Sequence, residues 1–253
     1  MQILLKPLRI LYVIYAFLTF IFLMIPVFLW TLIVLPFGSF KAGNLTYRAC
    51  MLWGDIWFPL IGVRHKNIYE QPLQKDEACI FVCNHISYID IPVIVKTFRQ
   101  PTRPLGKAEM KAVPIFGVIY RNAIVTVARS SSKDRARSVQ ALKSVLQKGV
   151  SLLVFPEGTF NETGKPLKDF YDGAFRIAIE TGAPIRPVLM LDTYDRMHYS
   201  SVFSFNPGRS RSVFLEEVQT AGLSWDDLDA LREKVYGIME DKLRQYGATW
   251  IKA

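Results

Sequence analysis

The feature that most limits how this chain can fold is an apolar run at residues 10–40, which contains 31 residues and no charged side chain. About 20 apolar residues in one helix are enough to cross the hydrocarbon core of a bilayer. The run is too long for the apolar core of a signal peptide, and no small-residue cleavage site follows it. We therefore expect a membrane-associated segment at the start of the chain.

Two prolines, Pro26 and Pro36, divide this run and leave two alternatives open. The segment can form one tilted helix, or two shorter helices that enter the membrane and return as a hairpin. Charge does not decide the orientation, because basic residues flank both ends: Lys6, Arg9, Lys41 and Arg48. A hairpin would leave both ends in the cytoplasm. The aromatic residues that follow, within residues 47–63, favour an interfacial segment.

Beyond about residue 64 the pattern changes to short strands that alternate with amphipathic helices. Strands are predicted at residues 78–83, 123–128, 151–155, 185–191 and 212–218, and helices at 91–98, 133–148, 172–181 and 225–246. Ser224 is the expected cap of the last helix. The pattern predicts an α/β fold with a mixed central sheet flanked by helices. We divide the chain into a membrane-associated helical hairpin and interfacial segment, residues 1–60, and a catalytic domain, residues 61–253.

The net charge of +9 is concentrated in the middle of the chain. Residues 96–148 contain twelve lysines and arginines against Glu109 and Asp134. Such a segment can bind an anionic membrane surface or a phosphorylated ligand, or it can be a solvated helix face. No nucleic-acid recognition motif accompanies it, so we expect no nucleic-acid partner.

The three cysteines, Cys50, Cys79 and Cys83, form no disulfide framework and fit a reducing compartment. Cys79 and Cys83 lie on a predicted buried strand, where small thiols are ordinary core residues. We therefore expect neither a metal site nor a bound cofactor.

The first polar motif follows the strand that ends at Cys83. His85 stands before the predicted helix start, which Pro92 places near residues 88–90, so His85 can fold back onto Asp90. A carboxylate on one imidazole nitrogen leaves the other nitrogen free to accept a proton. The alternatives are that Asp90 only caps the helix, as part of a capping box with Ser87, and that His85 is a hydrogen-bonded loop residue.

A second polar motif follows the strand at residues 151–155. Pro156 ends that strand, Gly158 permits close approach of a ligand to the backbone, and Glu157 and Thr159 supply an acceptor and a donor. An ordinary turn would have the same composition. A third group consists of the cations Lys107, Arg121 and Arg129, which can hold a phosphate or lie free in solvent.

Taken together, these motifs resemble the glycerolipid acyltransferase family, in its 1-acylglycerol-3-phosphate O-acyltransferase branch. The run N-H-I-S-Y-I-D at residues 84–90 is similar to the family's H-x-x-x-x-D block, and F-P-E-G-T at 155–159 to its third block. The segment from Gly106 to Arg129 occupies the place of the second block, and P-I-R-P-V at 184–188 that of the last.

The resemblance implies that His85 is a general base and Asp90 its orienting partner. It also implies that Glu157 and Gly158 belong to the acceptor site and that Arg129 binds the phosphate. We further expect Thr159, which follows a predicted strand, and Lys107, from the group of cations, to bind substrate. The expected reaction moves an acyl group from acyl-coenzyme A or acyl carrier protein to a lysolipid, giving phosphatidic acid. The expected location is a bacterial inner membrane, with the catalytic domain facing the cytoplasm and in contact with membrane lipids.

The chain departs from the family at Phe160, where an arginine often follows the third block, and in the residues before Arg129. Both differences concern the acceptor phosphate. They leave a lyso-aminolipid acceptor open, and an acyl-thioester hydrolase is a further alternative. No G-x-S-x-G motif is present, which favours direct transfer over an acyl-enzyme.

Overall fold

The computed structural model describes residues 2–72, 77–126 and 132–252. Its helices are α1 (Gln2–Val34), α2 (Ser39–Leu60), α3 (Asp90–Thr97), α4 (Phe116–Ala123), α5 (Ser132–Gln147), α6 (Gly173–Thr181), α7 (Thr193–Arg196) and α8 (Leu228–Gln245). Its strands are β1 (Val63–Tyr69), β2 (Ile80–Cys83), β3 (Thr102–Gly106), β4 (Val125–Thr126), β5 (Ser151–Val154), β6 (Ile185–Met190) and β7 (Gly208–Phe214).

One mixed sheet of seven strands, in the order β1-β7-β6-β2-β5-β3-β4, organises the described chain. The five strands from β6 to β4 are parallel, β7 is antiparallel to β6, and β1 is parallel to β7. The carboxyl ends of β2, β5 and β3 therefore lie at one edge of the sheet, where α/β proteins carry their sites. The predicted α/β class with a mixed sheet is confirmed.

Helices cover both faces of the sheet, because its central strands are apolar on both sides. On β2, Phe81 packs into a core with α1, α2 and α3. Its neighbours Ile80 and Val82 point the other way, into a core with α5, α6 and α8. Successive side chains of a strand alternate between faces, so a short continuous apolar run such as this one fits a doubly covered strand.

The apolar N-terminal run forms one long helix rather than two shorter ones, and a second helix follows it. Helix α1 continues through Pro26 and ends at Val34, so this proline does not divide the run. The chain reverses at the short 3₁₀ turn Leu35–Phe37, which contains Pro36 and is followed by Gly38 at φ 83°. A positive φ is cheap only for glycine, and α2 begins at the next residue and packs along α1.

Much of α1 presents large apolar side chains to the outside. Among the described residues one helix, Pro7–Phe37, is long and apolar enough to cross a membrane. Its exposed side chains include Leu11, Phe17, Leu18, Phe22, Leu29 and Ile33.

Helix α2 buries its aromatic face, although these residues had suggested that this face is exposed to the membrane interface. Tyr47, Trp53 and Trp57 are buried against α1 and the sheet, so these side chains face the protein, and the interfacial assignment of the segment stays a prediction. The exposed residues of α2 are aliphatic ones such as Leu52 and Ile56. Aromatic side chains bury the largest apolar area and so occupy the joint between helices and sheet.

Several predicted elements are confirmed and others are shifted. The strands at 78–83, 151–155 and 185–191 and the four helices are present with small changes at their ends, and Ser224 caps the last helical segment through a capping box. The late strand is Gly208–Phe214 rather than 212–218, and within 123–128 only Val125–Thr126 is described as strand. Strands β1 and β3 and helix α4 were not predicted, because polar residues or a proline interrupt their apolar patterns.

The packing of Trp57 yields a stability prediction. Its indole donates to the Ala16 carbonyl at 3.1 Å and meets the Phe20 ring edge-on at 5.3 Å. Trp57→Ala should lower the free energy of unfolding by about 3–5 kcal/mol, whereas Trp57→Phe should lose about 1 kcal/mol with the hydrogen bond. Thermal unfolding in detergent checks both, and equal losses for the two variants would contradict this packing.

Candidate active site

The site begins at the carboxyl end of β2, where a buried asparagine aligns two strands. The Asn84 side chain accepts from the Met190 amide at 2.8 Å and donates to the Met190 carbonyl at 3.1 Å. These two bonds join the end of β2 to the end of β6. The next residue, His85, therefore leaves the sheet from a fixed point.

His85 folds back onto Asp90 as predicted, since α3 begins only at Asp90. Asp90 Oδ2 lies 2.8 Å from His85 Nδ1 and also accepts from the amides of Ile86 and Ser87, each at 2.8 Å. The Asp90 side chain is fully buried, whereas that of His85 is 14% exposed. The carboxylate thus orients the imidazole and also closes the loop on which the imidazole stands.

Two phenylalanines enclose the imidazole. Phe155 stacks on it at 4.2 Å between ring centroids, and Phe160 meets it edge-on at 4.5 Å. Nδ1 is occupied by Asp90, and Nε2 has no hydrogen-bond partner within the described parts of the chain. The ring is therefore held on three sides, and its one free nitrogen is available to a reacting hydroxyl.

Glu157 is a buried brace between two segments of the site. Its Oε1 accepts from the His85 amide and its Oε2 from the Lys168 amide, both at 2.8 Å. Burial raises the pKa of Glu157 to about 8, against the opposing effect of these two amide donors. Its fully buried side chain therefore positions the backbone on both sides of the site, and its assignment to substrate binding stays a prediction.

Gly158 and Thr159 form the rim of the site beside this brace. Gly158 adopts φ +71°, and a Cβ there would lie 2.7 Å from the Tyr171 ring, so this position requires glycine. The exposed Thr159 accepts a hydrogen bond from the ammonium of Lys168 at 2.8 Å. The loop is tied to the histidine again by the Asn161 amide, which donates to the His85 carbonyl at 2.8 Å.

The two predicted phosphate ligands differ in what the structure shows. Lys107 directly follows β3 and is exposed, and its carbonyl accepts from the Tyr120 hydroxyl at 2.9 Å. Since β3 lies beside β5, Lys107 leaves the same edge of the sheet as Glu157. Arg129 lies outside the described residues, so both assignments stay predictions.

Sequence reasoning missed the supporting residues of the site. Phe160 was noted only as a departure from a family pattern, and neither Asn84 nor Lys168 was singled out. Asn84 stands inside the H-x-x-x-x-D block, and its position beside His85 was an available signal. Lys168 is brought to the site by a loop, and no local pattern marks it.

The cysteines show no sign of serving as nucleophiles. Cys50, Cys79 and Cys83 are buried and free, and burial raises the pKa of Cys79 to about 12 and that of Cys83 well above its usual range. Because the thiolate is the reactive form of cysteine, the histidine motif is the better centre for acyl chemistry.

With this geometry in place, a family comparison decides the class of protein. Residues 65–191 match the family model described as acyltransferase, and they contain both polar motifs. This chain belongs to the acyltransferase family. It is therefore an enzyme that transfers acyl groups.

Individual proteins give a consistent comparison. The chain is 25% identical to a 1-acyl-sn-glycerol-3-phosphate acyltransferase of Salmonella typhimurium, over 89% of this chain and 94% of that protein. It is 24% identical to the Haemophilus influenzae protein of the same name, over 76% and 80%. The crystal structure of the 1-acyl-sn-glycerophosphate acyltransferase PlsC from Thermotoga maritima superposes with a TM-score of 0.73, at 25% identity and with full coverage of both chains.

The hydrogen bonds of Asp90 yield a prediction for this acyltransferase. Asp90→Asn keeps the size of the side chain but can present an N–H group to His85 Nδ1, which favours the wrong imidazole tautomer. We expect kcat for acyl transfer to fall about 10³–10⁴-fold with little change in KM. A loss of less than tenfold, in a variant whose thermal unfolding is unchanged, would show that Asp90 serves only as a helix cap.

The brace yields a second prediction. Glu157→Gln keeps one acceptor oxygen but turns an NH₂ group toward one of the two backbone amides. A buried N–H group left without an acceptor costs about 1–3 kcal/mol, so both thermal stability and kcat should fall. Glu162→Gln, on an exposed residue of the same loop, is the matched control and should behave as wild type. Equal behaviour of the two variants would contradict the bracing role.

Proposed function

We propose that this acyltransferase moves a fatty acyl group from an acyl thioester to the free hydroxyl of 1-acyl-sn-glycerol 3-phosphate, giving phosphatidic acid. The observation that carries the proposal is the buried Asp90 held on His85 Nδ1 beside an open Nε2. The names of the relatives support this acceptor, since several are 1-acyl-sn-glycerol-3-phosphate acyltransferases.

The proposed chemistry follows from the two imidazole nitrogens. The acceptor hydroxyl attacks the thioester carbonyl while Nε2 takes its proton, and the buried carboxylate stabilises the imidazolium that forms. The tetrahedral intermediate then collapses: the C–S bond breaks, and the imidazolium returns its proton to the leaving thiolate. The products are phosphatidic acid and the free thiol of the carrier, with His85 restored.

The intermediate also needs donors for its oxyanion. The rim segment supplies candidates, because the main-chain amides of Thr159 and Phe160 have no acceptor among the described residues. This segment is tied to His85 by the Asn161 amide and by Glu157. We propose that one or both of these amides face the reacting carbonyl oxygen.

We further propose that the enzyme works at a membrane surface. The apolar outer face of α1 and the exposed aliphatic residues of α2 suit insertion into lipid. The acceptor, which has one acyl chain, and the product, which has two, would then enter and leave the site without leaving the bilayer. If the chain is bacterial, we propose that it binds the inner membrane with its catalytic domain on the cytoplasmic side. Acyl-coenzyme A and acyl carrier protein are both candidate donors there.

The test is acyl transfer by the detergent-solubilised protein from a radiolabelled long-chain acyl thioester. Lysophosphatidate and a lyso-aminolipid are offered separately, with donors on coenzyme A and on acyl carrier protein. We expect label in phosphatidic acid, and a loss of at least 10³-fold in His85→Ala. His198→Ala is the matched control, because His198 bonds Ser200 and Tyr194 instead of a carboxylate.

Each of the other outcomes would contradict a different part of the proposal. Label only in the aminolipid would keep the mechanism and overturn the acceptor. Free fatty acid as the sole product would identify a thioesterase. Full transfer by His85→Ala would remove His85 from the mechanism.

A further inference from the structure

A single lysine at the rim of the site has the placement that an acceptor phosphate requires. The Lys168 ammonium donates to the Thr159 hydroxyl at 2.8 Å. Thr159 lies between Gly158, whose left-handed backbone shapes the rim, and Phe160, which contacts the imidazole. The cation therefore stands on the loop that encloses the catalytic histidine.

Within the described chain Lys168 is in no ion pair of 4 Å or less, and the carboxylate that it influences is that of Glu157, whose pKa burial raises and Lys168 lowers. Lys96 pairs with Asp55, Lys143 with Glu180 and Lys242 with Glu70. The neighbour of Lys168, Asp169, lines a separate cavity with Arg232 and Tyr236. A cation that is held by a hydroxyl and is in no close ion pair can bind a phosphate.

The position of Lys168 relative to His85 is set by the brace. One carboxylate, that of Glu157, accepts from the amides of both residues, through Oε1 and Oε2. The backbone of the cation is thus held a fixed short distance from the backbone of the base. Such coupling is what an acceptor needs if its phosphate and its hydroxyl must be bound at the same time.

We propose that Lys168, together with the Thr159 hydroxyl, binds the phosphate of the acceptor. The inference rests on the proposed function and deepens it by naming a residue that selects a phosphorylated lysolipid. Lys168 binds the acceptor and takes no part in the proton transfer. Phe160 supplies an apolar surface between this phosphate site and the imidazole, against which the glycerol backbone and its acyl chain can lie.

The decisive experiment is equilibrium binding, measured without an acyl donor. Wild type, Lys168→Met and Lys168→Arg are titrated in detergent micelles with lysophosphatidate and with a monoacylglycerol of the same chain. We expect wild type to prefer the phosphorylated ligand, Lys168→Met to lose about tenfold or more of that preference, and Lys168→Arg to retain most of it. Lys165→Met, an exposed lysine of the same loop, is the control and should bind as wild type.

Binding and activity separate the two claims. If Lys168→Met discriminates between the ligands as well as wild type does, Lys168 is a solvated surface residue and this inference fails. If the discrimination collapses only in Lys168→Met while wild type transfers no acyl group to lysophosphatidate, the phosphate site stands and the proposed reaction fails. Thermal unfolding is measured for each variant, so that a loss of binding caused by misfolding can be recognised.

Discussion

The rest of the site depends on one buried carboxylate. Asp90 Oδ2 accepts three hydrogen bonds of 2.8 Å, from the imidazole and from two backbone amides of the loop between β2 and α3. A buried negative charge without partners is costly, and these three hydrogen bonds stabilise the loop in the conformation that supplies them. The same carboxylate therefore fixes both the conformation of the loop and the orientation of the His85 ring.

A second carboxylate extends this arrangement across the sheet. Glu157 comes from the end of β5, yet it holds the amide of His85 after β2 and that of Lys168 farther along the chain. Three chain segments are thereby joined by one side chain. Burial disfavours the charge of Glu157 and raises its pKa, and the two amide donors oppose that effect. The main contribution of this side chain is therefore to fix the positions of the two backbone segments.

The N-terminal helices connect the sheet that carries this polar site to an exposed apolar surface. Helix α2 packs its tryptophans against α1 and against the sheet face that carries Phe81, whereas α1 leaves large aliphatic and aromatic residues outside. An apolar surface of this extent marks contact with lipid or with another protein. The helix pair and the sheet share a core, and a lipid-bound α1 would therefore hold the site at a constant height above the membrane.

The sequence by itself determined the α/β class, the order of most strands and helices, and the pairing of His85 with Asp90. These features depend on local information: apolar periodicity, the proline that marks a helix start, and a spacing short enough for one loop. Tertiary structure alone decided that Asn84 ties β2 to β6, that Phe155 and Phe160 enclose the imidazole, and that Lys168 reaches Thr159. The first two contacts join residues that end or follow different strands, and only the packing of the parallel strands brings their carboxyl ends to one edge. The third lies within the loop between β5 and α6, whose conformation no local sequence pattern specifies.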